Sequence, residues 1–234
     1  MTLRLDHISA GYGAVQVLYD LSLEARPGEV LCIMGRNGAG KTTTLSSLIG
    51  LVPPKAGSIR LHDQEIAGLE PFRINRLGMG LVPENGRLFG ALTVAENLET
   101  ARRPAPDGSI RFGVDEVVAL FPDMSEFMSR RASLLSGGQQ RMVAIGRTLM
   151  GNPDLLLLDE PSEGLAPLVV EALLERLKAL RETGVTVLLS EQNLRFANEL
   201  ADRAYIIAQG AIRYEGTITD LAEHPEVREK YLMV

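Results

Sequence analysis

Gly35-Arg36-Asn37-Gly38-Ala39-Gly40-Lys41-Thr42-Thr43 is the stretch on which the reading of this chain turns. It follows the apolar run Val30-Leu31-Cys32-Ile33-Met34 and opens a segment, 43–51, whose apolar residues recur at helical spacing. A strand, a glycine-rich loop and a helix in that order make a phosphate-binding loop. The glycines let backbone N–H groups turn inward around a phosphate chain, where side chains would collide. The helix that starts at the loop adds unpaired amides and the positive end of its dipole. Gly35, Arg36, Asn37, Gly38, Ala39, Gly40 and Thr43 are therefore candidate phosphate contacts. Lys41 reaches toward the terminal phosphates, and the Thr42 hydroxyl is a ligand for Mg²⁺.

The rest of the composition sets bounds. A chain of 234 residues is long enough for one large domain with a well-buried core. Its 45% hydrophobic and 23% charged content is ordinary for a globular protein. A net charge of −6 and no basic stripe argue against nucleic acid as a partner. The first residues lack the apolar core of a signal peptide, and no apolar run approaches the length of a membrane span. These features predict a cytoplasmic protein brought to any membrane by other subunits. The single cysteine, Cys32, lies in the apolar run before the loop and reads as a buried structural residue.

Along the chain, 3–23 reads as β-rich, with a turn at Gly11-Tyr12-Gly13 and another at Pro27-Gly28. Short strands are predicted over 57–61 and 78–82. From Glu84 to about Asn152 the texture is helical, with Thr93 and Glu96 forming a capping-box pattern. Helices are expected over 115–121, 125–131 and 138–150. Then β/α alternation resumes: strands over 155–158 and 185–190, helices over 168–183 and 193–201. A hairpin is expected around Gln209-Gly210, and a helical tail over 219–232. Strands joined by helical crossovers imply a parallel sheet covered on both faces, with the helical stretch inserted as a lobe.

Two further stretches carry chemistry. Leu155-Leu156-Leu157-Leu158-Asp159-Glu160 places two carboxylates at the end of a buried strand, where open α/β sheets hold ligands. Asp159 is the natural partner for Mg²⁺, and Glu160 can polarise a water for attack on a terminal phosphate. Leu135-Ser136-Gly137-Gly138-Gln139-Gln140 opens the longest helix of the lobe, either as a second anion-binding tip or as a helix capped by Ser136. One chain thus has two phosphate-cradling helix starts and only one Asp-Glu strand end.

In order, the phosphate loop, the Leu-Ser-Gly-Gly-Gln stretch and Asp159-Glu160-Pro161 resemble the ATP-binding subunit of an ABC transporter, over essentially the whole chain. The resemblance implies an α/β fold: a P-loop NTPase (RecA-like) core over 1–84 and 153–234, with an N-terminal antiparallel β subdomain, and an inserted helical subdomain over 85–152. It implies ATP and Mg²⁺ as ligands and a head-to-tail dimer. Each ATP would lie between one subunit's phosphate loop and Ser136, Gly137, Gly138 and Gln139 of the other. Tyr12 matches the aromatic that stacks on adenine; the lesser reading of such an amphipathic turn residue is packing on the core. Glu84 stands where the family has a glutamine near the metal. Gln192 occupies the place of the usual switch histidine; it can hydrogen-bond a phosphate but carries no titrating proton. Ala166 replaces the usual aspartate. None of His7, His62 and His224 falls at a motif.

Those departures, with Glu191-Gln192-Asn193 and the tail 227–232, resemble one subgroup, the second (LivF-like) ATPase of branched-chain amino-acid importers. The closely similar urea and amide importer ATPases stand beside it. The resemblance implies membrane-spanning permease subunits, a sister ATPase, a periplasmic solute-binding protein and a place on the cytoplasmic face of a bacterial inner membrane. Asn85-Gly86-Arg87-Leu88-Phe89 is the candidate contact with the permease. Leu88 and Phe89 either dock a helix there or cap the lobe's own core. A non-transport ATPase of the same fold is the rival reading, but such proteins usually carry long inserts or basic patches.

Overall fold

The computed structural model describes residues 2–232. Strands β1 (Leu3–Tyr12) and β2 (Val15–Ala25) pair antiparallel, with Tyr12 opposite Val15, so the first turn is tighter than the sequence suggested and Tyr12 ends a strand. β1 also pairs with β4 (Ala56–Leu61), which turns into the short β5 (Gln64–Glu65). These make a four-stranded antiparallel sheet in the order β2-β1-β4-β5.

The second sheet uses the runs that read as uninterrupted apolar sequence. β3 (Val30–Met34), β7 (Leu155–Asp159) and β8 (Thr186–Glu191) are buried along their whole length. With β6 (Met79–Val82), β9 (Arg203–Ala208) and β10 (Ala211–Thr217) they form six strands in the order β10-β9-β3-β8-β7-β6. All neighbours are parallel except the β9–β10 hairpin. Successive side chains of a strand point to opposite faces. Leu31, Ile33, Leu155 and Leu157 accordingly join a core with α1 (Lys41–Leu48) and the antiparallel sheet. Cys32, Met34, Leu156 and Leu158 join a second core on the other face.

That second core is closed by helices: α3 (Val94–Glu99), α4 (Val114–Leu120), α5 (Gly137–Leu149), α6 (Pro167–Arg181) and α7 (Leu194–Leu200). The capping box expected at Thr93 and Glu96 is present, Glu96 N–H donating to Thr93 Oγ1 at 3.2 Å. Where a helix was expected over 125–131, the chain makes a 3₁₀ turn at Pro122–Phe127. Bonds such as Met124 N–H to Phe121 O set its tighter pitch. The tail is two helices, α8 (Ile218–Glu223) and α9 (Pro225–Tyr231). Pro225, lacking an N–H and starting the second, breaks the continuous helix that the polar tail suggested. A short helix, α2 (Pro71–Arg76), and β5 carry too little periodicity to be read in advance.

No helix among the described residues is long and apolar enough to cross a membrane. Leu157 lies fully buried at the middle of β7. Leu157→Ala is expected to lower the unfolding free energy by about 2–5 kcal/mol, through lost transfer energy and a residual cavity. Equilibrium urea denaturation measures it.

Candidate nucleotide site

Register brings the site together. In the parallel ladder Met34 pairs with Glu191 and Asp159 with Ser190, so β3, β8 and β7 end side by side at their carboxyl ends. The loop 35–40 leaves β3 at that edge and α1 begins at Lys41. Its bend needs residues without a Cβ. Gly40 has φ +115°, and a Cβ there would lie 2.8 Å from Leu18 Cδ2. Gly35 has φ +158°, and its Cβ would lie 2.4 Å from the carbonyl oxygen of Ile207.

Inside this bend the Lys41 ammonium is buried, with three acceptors in reach. It donates to Gly35 O at 2.7 Å and Arg36 O at 3.1 Å, and lies 3.1 Å from Glu160 Oε1. Glu160 has φ +45°, an uncommon backbone for a residue with a side chain. Its N–H donates to Ser190 Oγ at 3.0 Å and Ser190 O at 3.1 Å, which hold the bend in place. Gln192 Nε2 donates to Glu160 Oε2 and to Asn37 Oδ1, both at 2.7 Å. A carboxylate, an amide and the phosphate loop are thus linked across three segments distant in sequence.

Beside them, Asp159 Oδ1 accepts from Ser190 Oγ at 2.7 Å and from Thr42 Oγ1 at 3.1 Å. Burial pushes the Asp159 carboxyl above its ordinary range, against the pull of those two hydroxyls. Arg141 is also buried, its Nη1 3.5 Å from the Asp159 carbonyl. Burial pushes its guanidinium down, opposed by the carboxylates of Glu84 and Asp159. The paired hydroxyl and carboxylate of Thr42 and Asp159 are hard oxygen donors of the kind a small dication such as Mg²⁺ takes.

A cavity of about 340 Å³ opens over this group, lined by Val17, Asn37, Gly38, Gly40, Lys41, Thr42, Thr43, Glu84 and Glu160. Arg36, Asn37, Gly38 and Ala39 also line a neighbouring hollow of about 510 Å³ against α9. Glu84, which follows β6, is exposed and reaches the first cavity's edge. Tyr12 is 53% exposed and, instead of packing on the core, stands outside the lining of that cavity.

Ser136, Gly137, Gly138 and Gln139 do not line the cavity either. They form the start of α5, where Ser136 and Gln139 cap each other: Gln139 N–H donates to Ser136 Oγ at 3.3 Å and Ser136 N–H to Gln139 Oε1 at 3.0 Å. Ser136 and Gly137 are exposed, while Gly138 lies against Val169 of α6. Ala166 is the N-cap of α6 and offers no side-chain hydrogen bond. The histidines sit elsewhere: His7 beside Asp20, His62 beside Asp154, and His224 on the Asp220 carbonyl. Cys32 is buried, and burial, then Glu191, pushes its thiol up, as suits an inert core residue.

Sequence reasoning passed over Ser190, Val17 and Arg141. Ser190 is the clearest omission, since it serves both Asp159 and Glu160. A polar residue ending an otherwise apolar strand, 185–190, was the available signal.

Comparison with known proteins agrees with this geometry. The sequence matches the ABC transporter family over residues 18–163. It is similar to the high-affinity branched-chain amino acid transport ATP-binding protein BraG of Pseudomonas aeruginosa, 44% identical over 230 residues, which cover 98% of this chain and 99% of that one. A solved ATP-binding cassette of an ABC transporter in its ADP conformation is 28% identical, with a TM-score of 0.83 and 97% of each chain covered. A dimeric cassette in a post-hydrolysis state, bound to ADP and phosphate, is 26% identical, with a TM-score of 0.78 over 92% of this chain and 98% of that one. Family match and full-length kinship both point where the site does: this chain belongs to the ABC transporter family, as an ATP-binding subunit that hydrolyses ATP.

Proposed function

We propose that this ATPase powers import of branched-chain or other hydrophobic amino acids through a membrane transporter whose spanning subunits are separate chains. The observation that carries the solute class is the 44% identity to BraG over nearly the full length of both chains. ATP itself is read from the site. Lys41, Thr42, Asp159, Glu160 and Gln192 converge from three loops on one edge of the sheet.

The chemistry follows from those contacts. An entering triphosphate presents oxygens to Lys41, which exchanges the Glu160 carboxylate for them. Glu160, released, accepts a proton from the attacking water. Gln192 keeps one amide N–H on that carboxylate and turns the other from Asn37 to the terminal phosphate. Thr42 and Asp159, with Glu84 at the rim, would hold Mg²⁺, which would supply positive charge against that of the phosphates. The α5 tip at Ser136, Gly137, Gly138 and Gln139 serves the site of a second subunit, a sister ATPase or another copy. The exposure of Ser136 and Gly137, and their place outside the lining of this chain's own cavity, support that role. Tyr12, exposed at the end of β1, is free to stack on adenine.

The permease would dock in a groove of about 450 Å³ lined by Leu81, Arg87, Phe89, Arg103 and Arg147, among others. The pair Leu88-Phe89 divides its labour there. Leu88 packs on the lobe's core, whereas Phe89 is 54% exposed on the groove with Arg147 stacked 5.3 Å from its ring. An arginine-rich groove with an aromatic wall suits a helix bearing a carboxylate. Such a complex sits at the cytoplasmic face of the membrane and takes solute from a periplasmic binding protein.

Three measurements test this. Glu160→Gln is expected to bind ATP normally and to lower turnover by about 10²–10⁴-fold; parental turnover would assign the water-activating role to another group. Phe89→Asp is expected to reduce co-purification with the membrane subunits while leaving ATP affinity within about twofold. In the reconstituted transporter, leucine, isoleucine or valine with the binding protein should stimulate ATP hydrolysis. Stimulation by urea and not by these amino acids would overturn the solute assignment.

A further inference from the structure

Glu191, the last residue of β8, is a carboxylate the reaction as described does not use. It is 2% exposed and has no cation within ion-pair distance among the described residues. Its charge is met instead by backbone amides and by the Ser162 hydroxyl, with the Arg141 guanidinium near enough to feel it. Oε1 accepts from Ser162 N–H at 3.0 Å. Oε2 accepts from Gln192 N–H and Asn193 N–H, each at 3.0 Å. Ser162 begins the turn 162–166 between Glu160 and α6, on the subunit's exposed side, where Glu163 and Gly164 face solvent. Gln192 carries the amide that touches Glu160 and Asn37. Asn193 caps α7, its Oδ1 accepting from Phe196 N–H at 3.1 Å.

One side chain therefore spans two loops, which the Gln192–Glu160 contact also joins two residues before Ser162. Its two oxygens are not interchangeable, because one faces the turn and the other faces the backbone of the switch residue. A carboxylate buried without a cation is costly unless its lone pairs are filled. Three amides arranged this way satisfy it only while both loops keep their present positions. Movement of the turn at Ser162 pulls on the same group that holds Gln192.

We infer that Glu191 is a positioning residue for ATP hydrolysis: it ties the backbone of the Ser162 turn to that of Gln192, so that the amide of Gln192 meets Glu160 and the terminal phosphate only when the turn is seated. The inference rests on the assignment of Glu160 and Gln192 to the hydrolytic site. Parental turnover by Glu160→Gln would undo that assignment, whereas the experiment below bears on Glu191 alone.

The test compares kcat and KM for ATP in the reconstituted transporter carrying the parent chain, Glu191→Gln or Glu191→Asp, with thermal unfolding of each purified chain measured alongside. Glutamine keeps the span but replaces one acceptor by an amine facing an N–H. Aspartate keeps the charge but is one methylene too short to bridge both loops. A bridging role predicts kcat lowered about tenfold or more in Glu191→Gln and further in Glu191→Asp, with KM within about twofold of the parent. Should Glu191→Gln melt below the assay temperature, Glu191→Asp alone decides by the same split. A kcat within twofold of the parent in a folded variant, or a KM that rises as far as kcat falls, would overturn the inference. So would the opposite order, aspartate outperforming glutamine, because charge and not span would then be what matters.

Discussion

The contact on which this structure depends is the buried pair of Lys41 and Glu160, 3.1 Å apart and almost sealed from water. An ion pair of this kind adds little to stability, because desolvating both groups costs about as much as their attraction returns. What the pair does is hold geometry. Lys41 is fixed by two loop carbonyls, Glu160 by two bonds from its own N–H to Ser190 and one from Gln192. The phosphate loop and the strand-end carboxylates are thereby held face to face. A phosphate can replace the carboxylate on Lys41 with one anion exchanged for another, so the buried lysine stays paired throughout.

Everything beneath serves to bring those groups to one edge. Parallel strands buried on both faces admit no polar side chain along their length, so polar function collects where they end. β3 delivers the loop, β7 delivers Asp159 and Glu160, and β8 delivers Ser190, Glu191 and, just beyond, Gln192. The two hydrophobic cores lie on opposite faces of this one sheet, with alternate residues of each central strand assigned to each. The helical lobe packs on only one of them, and Ser136 and Gly137 at α5's capped start are exposed and outside the lining of this chain's own cavity.

Gln192, Ala166 and Glu84, the residues that depart from the pattern the resemblance implies, take defined places in the same framework. Gln192 makes two amide hydrogen bonds and holds no ionisable proton. Ala166 caps α6 with no side-chain bond, so the turn before it is held through Ser162 and Glu191 instead. Glu84 adds a carboxylate at the rim, where the buried guanidinium of Arg141 lies close enough to feel it.

Much of this was legible in the linear chain because its cause is local. A glycine-rich bend before a helix, apolar runs ending in carboxylates, and a Ser-Gly-Gly helix start each act through a few neighbouring residues. The capping boxes at Thr93 and Ser136 follow from three-residue spacing alone. Sequence by itself thus determined the fold class, the phosphate loop and the family. Tertiary structure decided what depends on register between strands far apart in the chain: that Ser190 serves Asp159 and Glu160, that Gln192 bridges to Asn37, and that Glu191 joins two loops. It also decided which of Leu88 and Phe89 is buried and which is offered outward. Those outcomes are set by packing and backbone hydrogen bonds across the sheet, and no spacing within a single segment encodes them.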